Sequence, residues 1–126
     1  MITNKEVAIK YLDYLEKGDI EQIIKLFNKK GVVKSPIYGI MKAAEFYRQL
    51  NSDTTNSELL LKGIFEENNS NKLALYFNYK WTLKNNKKVE FDVVDILEFD
   101  SSNMISELKI IYDTAISREL VKKLVK

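Results

Sequence analysis

Apolar positions change their period partway along the chain. Near the N-terminus Val7, Ala8, Tyr11, Leu12 and Leu15 recur at three- and four-residue steps, the spacing of one helix face. Thr3-Asn4-Lys5-Glu6 reads as a capping box in front of them, with Ile2 and Val7 placed to staple over it. Gly18 supplies the stop, because glycine tolerates the left-handed geometry of a helix end. Asp19 with Gln22 repeats the start signal, and Ile20, Ile23, Ile24 and Phe27 form the apolar face of a second helix ending at Gly31. Residues 32–35 read as a short strand stopped by Pro36, which cannot donate to a ladder. Tyr38-Gly39 is a turn. Met41 to Leu50 reads as a third helix with Ala44, Tyr47 and Leu50 on one side, and 51–56 as a polar loop.

From there the period is two. Strands are predicted at 58–66, 72–83, 89–99 and 104–112, separated by short polar breaks at 67–71, 85–87 and 100–103. Such breaks make hairpins and an antiparallel meander. On the strand at 72–83, Leu73, Leu75, Phe77, Tyr79, Trp81 and Leu83 share one face. Cross-strand partners point the same way, so parity tests the register. A three-residue loop at 85–87 makes the apolar faces coincide, pairing Phe77 with Asp95 and Tyr79 with Val93. The loop at 100–103 places Leu108 opposite Asp95. A last helix from Thr114 to Val125 has Ile116, Leu120 and Leu124 as its buried row. The order is α-α-β-α-β-β-β-β-α. Helices early and strands late argue an α+β fold, built as a curved antiparallel sheet wrapped around helices. One domain, 1–126, is expected.

One polar residue interrupts the strongest stripe. Phe91, Val93, Asp95, Leu97 and Phe99 occupy alternate positions of one strand and therefore share a face. A carboxylate buried without a partner is very unfavourable, so the group finds a strong partner or keeps its proton. A protonated acid facing an apolar space is a hydrogen-bond donor for a ligand oxygen.

Composition narrows the chemistry. The chain has 126 residues, 45% hydrophobic and 30% charged, with no Cys and no His. Thiolate nucleophiles, disulfides, imidazole catalysis and Cys- or His-based metal sites are thereby excluded. No acidic metal-binding loop motif is present, and no cofactor is expected. The net charge of +2 comes from interspersed Lys and acidic residues with only two arginines, Arg48 and Arg118. That is not the basic track of a nucleic-acid binder. No apolar run has membrane-spanning length and no signal pattern opens the chain, so a cytoplasmic protein is expected.

The motifs Tyr11-Leu12-Asp13-Tyr14-Leu15-Glu16-Lys17-Gly18-Asp19, Ile23-Ile24-Lys25-Leu26-Phe27, Ser35-Pro36, Gly39, Ala43-Ala44, Phe46-Tyr47, Phe91 to Asp100 and Ile105 to Tyr112 follow one another in a telling order. The pattern resembles the nuclear transport factor 2-like superfamily, in its SnoaL-like and ketosteroid isomerase-like branch, over nearly the whole chain. The resemblance implies a cone-shaped sheet around an apolar pocket, and a homodimer formed through the outer sheet face. It also implies a polar pocket end in which Tyr11 and a protonated Asp95 match the oxyanion-binding pair of the isomerases. The isomerases' general-base aspartate, which directly precedes a proline, is here Ser35. A serine hydroxyl is too weak a base at neutral pH without activation.

Ser35, Tyr38, Phe77, Tyr79, Trp81, Phe91 and Leu108 are the other candidate lining residues. Each also has a plainer reading: strand-end serine, loop tyrosine, core packing. Asp95 could pair with a nearby Lys or Tyr, or turn to solvent at a bulge. Three functions stay open. One is a binding domain for a small apolar ligand with a carbonyl or hydroxyl group. Another is an isomerase or lyase acting on a carbonyl compound. The third is a non-catalytic docking module whose cavity is filled by side chains.

Overall fold

The computed structural model describes residues 2–124. The first helix, α1 (Asn4–Lys17), begins at the capping box. Glu6 N–H donates to Thr3 Oγ1 at 3.1 Å, and Thr3 N–H donates to the Glu6 carboxylate at 3.2 Å. It ends at Gly18 with φ of 72°. Val7, Ala8, Tyr11, Leu12 and Leu15 are all buried, so its face lies where the spacing predicts.

The second helix, α2 (Ile20–Lys25), is shorter than expected. The Asp19 side chain makes no capping bond, and Phe27 opens a strand, β1 (Phe27–Ser35). Gly31 is therefore not a helix stop. It lies inside β1, buried under the ring of Phe27, where a Cβ would come within 2.9 Å of that ring. The strand expected at 32–35 thus starts five residues early. An unforeseen strand, β2 (Gly39–Lys42), pairs antiparallel with β1, and α3 (Ala43–Asp53) follows. Its buried face is Ala43, Phe46 and Tyr47; Ala44 and Leu50 are only partly covered.

Four long strands complete the sheet: β3 (Thr54–Glu66), β4 (Lys72–Leu83), β5 (Lys88–Phe99) and β6 (Ile105–Ile111). The order across the sheet is β2-β1-β6-β5-β4-β3. The fold is α+β, and β3 to β6 form the expected meander. The sheet as a whole is mixed rather than antiparallel, because β1 lies parallel to β6. Helix α4 (Ala115–Lys122) closes the chain. Ser117 and Val121 are its buried residues, and Leu124 beyond its end is buried too. Ile116, expected inside, is 65% exposed, and Leu120 is half-buried. The expected end of this helix at Val125 lies outside the described residues.

Registers keep the predicted faces but shift by two. Leu83 N–H bonds to Lys87 O at 2.8 Å, so the loop spans 84–86 rather than 85–87. Asp95 therefore faces Leu75, with Phe77 opposite Val93 and Tyr79 opposite Phe91. On its other side Asp95 faces Ile110, and Leu108 faces Leu97. One residue of that second shift arises at the loop, since Phe99 faces Ile105, and the other at an irregularity between Glu98 and Phe99. A two-residue displacement preserves parity. The inner row from Leu73 to Leu83 is accordingly buried throughout.

Candidate functional site

Asp95 is 1% exposed, on the concave face of β5. Its Oδ1 is buried and has no hydrogen-bond partner. Burial alone pushes its carboxyl well above the usual carboxylate range, since charge is costly away from water. That direction favours the neutral acid. It borders a cavity of about 40 Å³ beneath α1, α3 and the turn after β1.

Tyr11, delivered by α1, lines the same cavity. Its hydroxyl is 2.7 Å from that of Tyr47 on α3, and either can donate. Their rings meet edge to face at 6.0 Å. Burial, then Tyr47, then Asp95 push the Tyr11 phenol well above its ordinary value, and burial does the same to Tyr47. Both stay protonated. A hydroxyl has one proton and two lone pairs. If Tyr47 donates to Tyr11, the Tyr11 proton is left for a third group.

Aromatic rings make most of the remaining wall. Phe77, Tyr79 and Trp81 project from β4, and Phe91 from β5. Tyr79 and Trp81 stack at 6.2 Å, and Phe91 stacks on Tyr112 at 4.3 Å. The polar atoms of Tyr79 and Trp81 both have partners, as buried tyrosine and tryptophan require. Tyr79 Oη lies 2.8 Å from Ser57 Oγ, and Trp81 Nε1 donates to Thr54 Oγ1 at 2.8 Å. Burial, the largest influence, pushes Tyr79 up to about 12.

Ser35 and Tyr38 stand at the β1–β2 turn and also line the cavity. Ser35 Oγ accepts from the N–H groups of Ile37 and Tyr38 at 3.2 and 3.3 Å, which orders the turn. Tyr38 donates to Asp53 at 2.6 Å. Burial followed by that bond raises the Tyr38 phenol.

The structure therefore gathers Tyr11, Ser35, Tyr38, Phe77, Tyr79, Trp81, Phe91 and Asp95 around one space. Leu108 is not among them; it is fully buried opposite Leu97, in the core below. Tyr47, Phe46, Ile110 and Tyr112 escaped the sequence reading as site residues. Parity would have found two of them, because Ile110 and Tyr112 lie in step with Leu108 on β6 and just beyond. Nothing local marks Tyr47 as the partner of Tyr11, 36 positions away. Asp95 is the only ionisable carboxyl or cation among the described residues lining the cavity. No group of three or more metal-binding side chains occurs among the described residues.

Six curved strands enclosing an apolar space under three helices define the nuclear transport factor 2-like fold, and the chain has that fold. Solved structures agree. An NTF2-like protein of unknown function from Burkholderia pseudomallei superposes with a TM-score of 0.80 over 100% of both chains at 12% identity. A protein from Shewanella putrefaciens assigned to the SnoaL-like polyketide cyclases gives 0.72, covering 98% of this chain and 88% of its own, at 15% identity. TerC, co-crystallised with polyporic acid, gives 0.79 over 95% and 98% at 16% identity. No family model matches the sequence, and no curated protein matches it. None of the described helices is long and apolar enough to cross a membrane.

Proposed function

We propose that this protein binds a small, neutral, apolar ligand and holds the ligand's carbonyl or phenol oxygen between Asp95 and Tyr11. The observation that carries the reading is the unpartnered Asp95 oxygen, buried in an aromatic cavity it shares with Tyr11. An unsatisfied buried polar atom costs about 1–3 kcal/mol. A ligand oxygen that accepts the Asp95 proton removes that cost. The similarity to TerC, crystallised with polyporic acid, and to SalBIII, described as an epoxide hydrolase/cyclase-like enzyme in pyran ring formation, agrees with a ligand of this kind.

A space of about 40 Å³ has room for water but is far smaller than the cavity of about 150 Å³ that takes up benzene. Binding therefore includes displacement of side chains. A docking module with a filled interior fits poorly, because the open space lies at the buried acid. Enzymatic proton transfer is the weaker alternative. Tyr11 and Asp95 could bind an oxyanion, but the described lining residues include no second carboxylate to act as base, and Ser35 already accepts two backbone N–H groups. A homodimer through the outer sheet face belongs to the same proposal. That face exposes Leu60, Phe65 and Ile111, and sedimentation would reveal the dimer. A cytoplasmic location is part of it too.

The test is titration calorimetry with phenol and cyclohexenone. Tyr11→Phe removes a donor with little change in volume, and Asp95→Ala removes one without adding bulk to the cavity; each should weaken binding by about tenfold. Wild-type affinity in both variants would overturn the proposal.

A further inference from the structure

The cavity at Asp95 has a neighbour. A second space, of about 30 Å³, is bordered by Ile23, Tyr47, Thr54 and Ser57 and reaches the exposed Gly18. Leu15 of α1 and Leu50 of α3 line both spaces. The rest of the divide is polar. Three hydrogen-bonded pairs each place one residue in either chamber. Tyr11 faces the first and Tyr47 the second, 2.7 Å apart. Tyr79 and Ser57 are 2.8 Å apart, and Trp81 donates to Thr54 at 2.8 Å.

These two kinds of divider differ in what it takes to move them. Separating a buried hydrogen-bonded pair leaves unsatisfied polar atoms. Swinging a leucine side chain gives up only dispersion contacts, which an incoming ring replaces. The divide is therefore firm at the three pairs and soft at Leu15 and Leu50. Neither chamber alone approaches the size that admits a benzene ring. Joined through the leucines, they gain both spaces and the volume the leucines vacate.

We propose that the two chambers are one bent ligand site, closed at its waist by Leu15 and Leu50, which admits an elongated neutral aromatic ligand with an oxygen at each end. One oxygen meets Asp95 and Tyr11, and this part rests on the reading given above. The other meets the hydroxyls of Tyr47 and Ser57, each of which has a single hydrogen bond and spare lone pairs. Apart from Asp95, no ionisable carboxyl or cation is among the described residues lining either chamber, so an anionic ligand finds no counter-charge.

The experiment compares phenol with para,para′-biphenol in wild type, Leu50→Ala and Leu50→Trp. The ratio of biphenol to phenol affinity should rise by about fivefold or more in Leu50→Ala and fall as much in Leu50→Trp, a readable change in Kd. A crystal structure of the unaltered protein with biphenol should show the ligand passing between Leu15 and Leu50, its far oxygen near Tyr47 or Ser57. A constant ratio, or biphenol lying wholly in the chamber at Asp95, overturns the waist while leaving the Asp95 reading in place. Failure of phenol itself to bind wild type overturns that reading and the waist with it.

Discussion

Replacing Asp95 by asparagine should change how stability varies with pH. Burial raises the native pKa of this carboxyl, while the unfolded chain titrates it near 3.9. Below the unfolded value the group is protonated in both states, and its contribution is fully present. Above about pH 5 the unfolded chain has released the proton and the native protein has not. Each further pH unit then costs the folded state about 1.4 kcal/mol, until pH passes the native pKa.

Asparagine binds no proton, so its offset in stability is constant and drops out of the slope. Asp92 and Asp100 have the opposite shift. Hydrogen bonding from Lys62 is the main cause for Asp92, and from Asn28 for Asp100. Both depress stability in acid equally in the two proteins, so the difference between the proteins isolates Asp95. The tyrosines near it, Tyr11, Tyr47, Tyr79 and Tyr112, have their own values raised by burial and do not titrate in this range. Urea unfolding between about pH 4 and pH 8 measures the difference. Wild type should lose stability relative to Asp95→Asn as pH rises. Parallel curves would mean the carboxyl is ionised in the native protein, and the neutral donor would be gone.

Three further outcomes follow from local geometry. Gly31→Ala places a Cβ 2.9 Å from the Phe27 ring and 3.1 Å from Asn28 O. It should cost about 1–3 kcal/mol in urea unfolding, and a neutral result would mean β1 shifts freely. Thr3→Ala removes the acceptor for Glu6 N–H and should cost about 1 kcal/mol; retained stability would show the capping box is idle. Ser35→Asp supplies a carboxylate at the cavity rim, where it can still accept the Ile37 and Tyr38 N–H groups. Deuterium exchange of cyclohexenone's acidic protons should then exceed the wild-type background, and no gain would argue that Tyr11 and Asp95 are misaligned for proton transfer.

Which residues turn inward was legible in the sequence, because facing is a local property. A helix repeats every 3.6 residues and a strand every two, so α1 and the inner rows of β4 and β5 emerge from spacing alone. The buried acid among apolar neighbours emerges from the same alternation. Partnership was not legible. The parallel pairing of β1 with β6, the two-residue register shifts and the strand that begins at Phe27 depend on contacts between segments far apart in the chain. Loop geometry and strand irregularities move a register by two without changing any residue's face, so Asp95 meets Leu75 and Ile110 rather than Phe77 and Leu108. Short polar runs such as 51–56 have no period strong enough to decide helix from strand. Tertiary packing alone placed Tyr47 against Tyr11, stacked Tyr112 on Phe91, and set two leucines between two cavities, because those contacts join helix to helix and strand to strand across space that no local pattern spans.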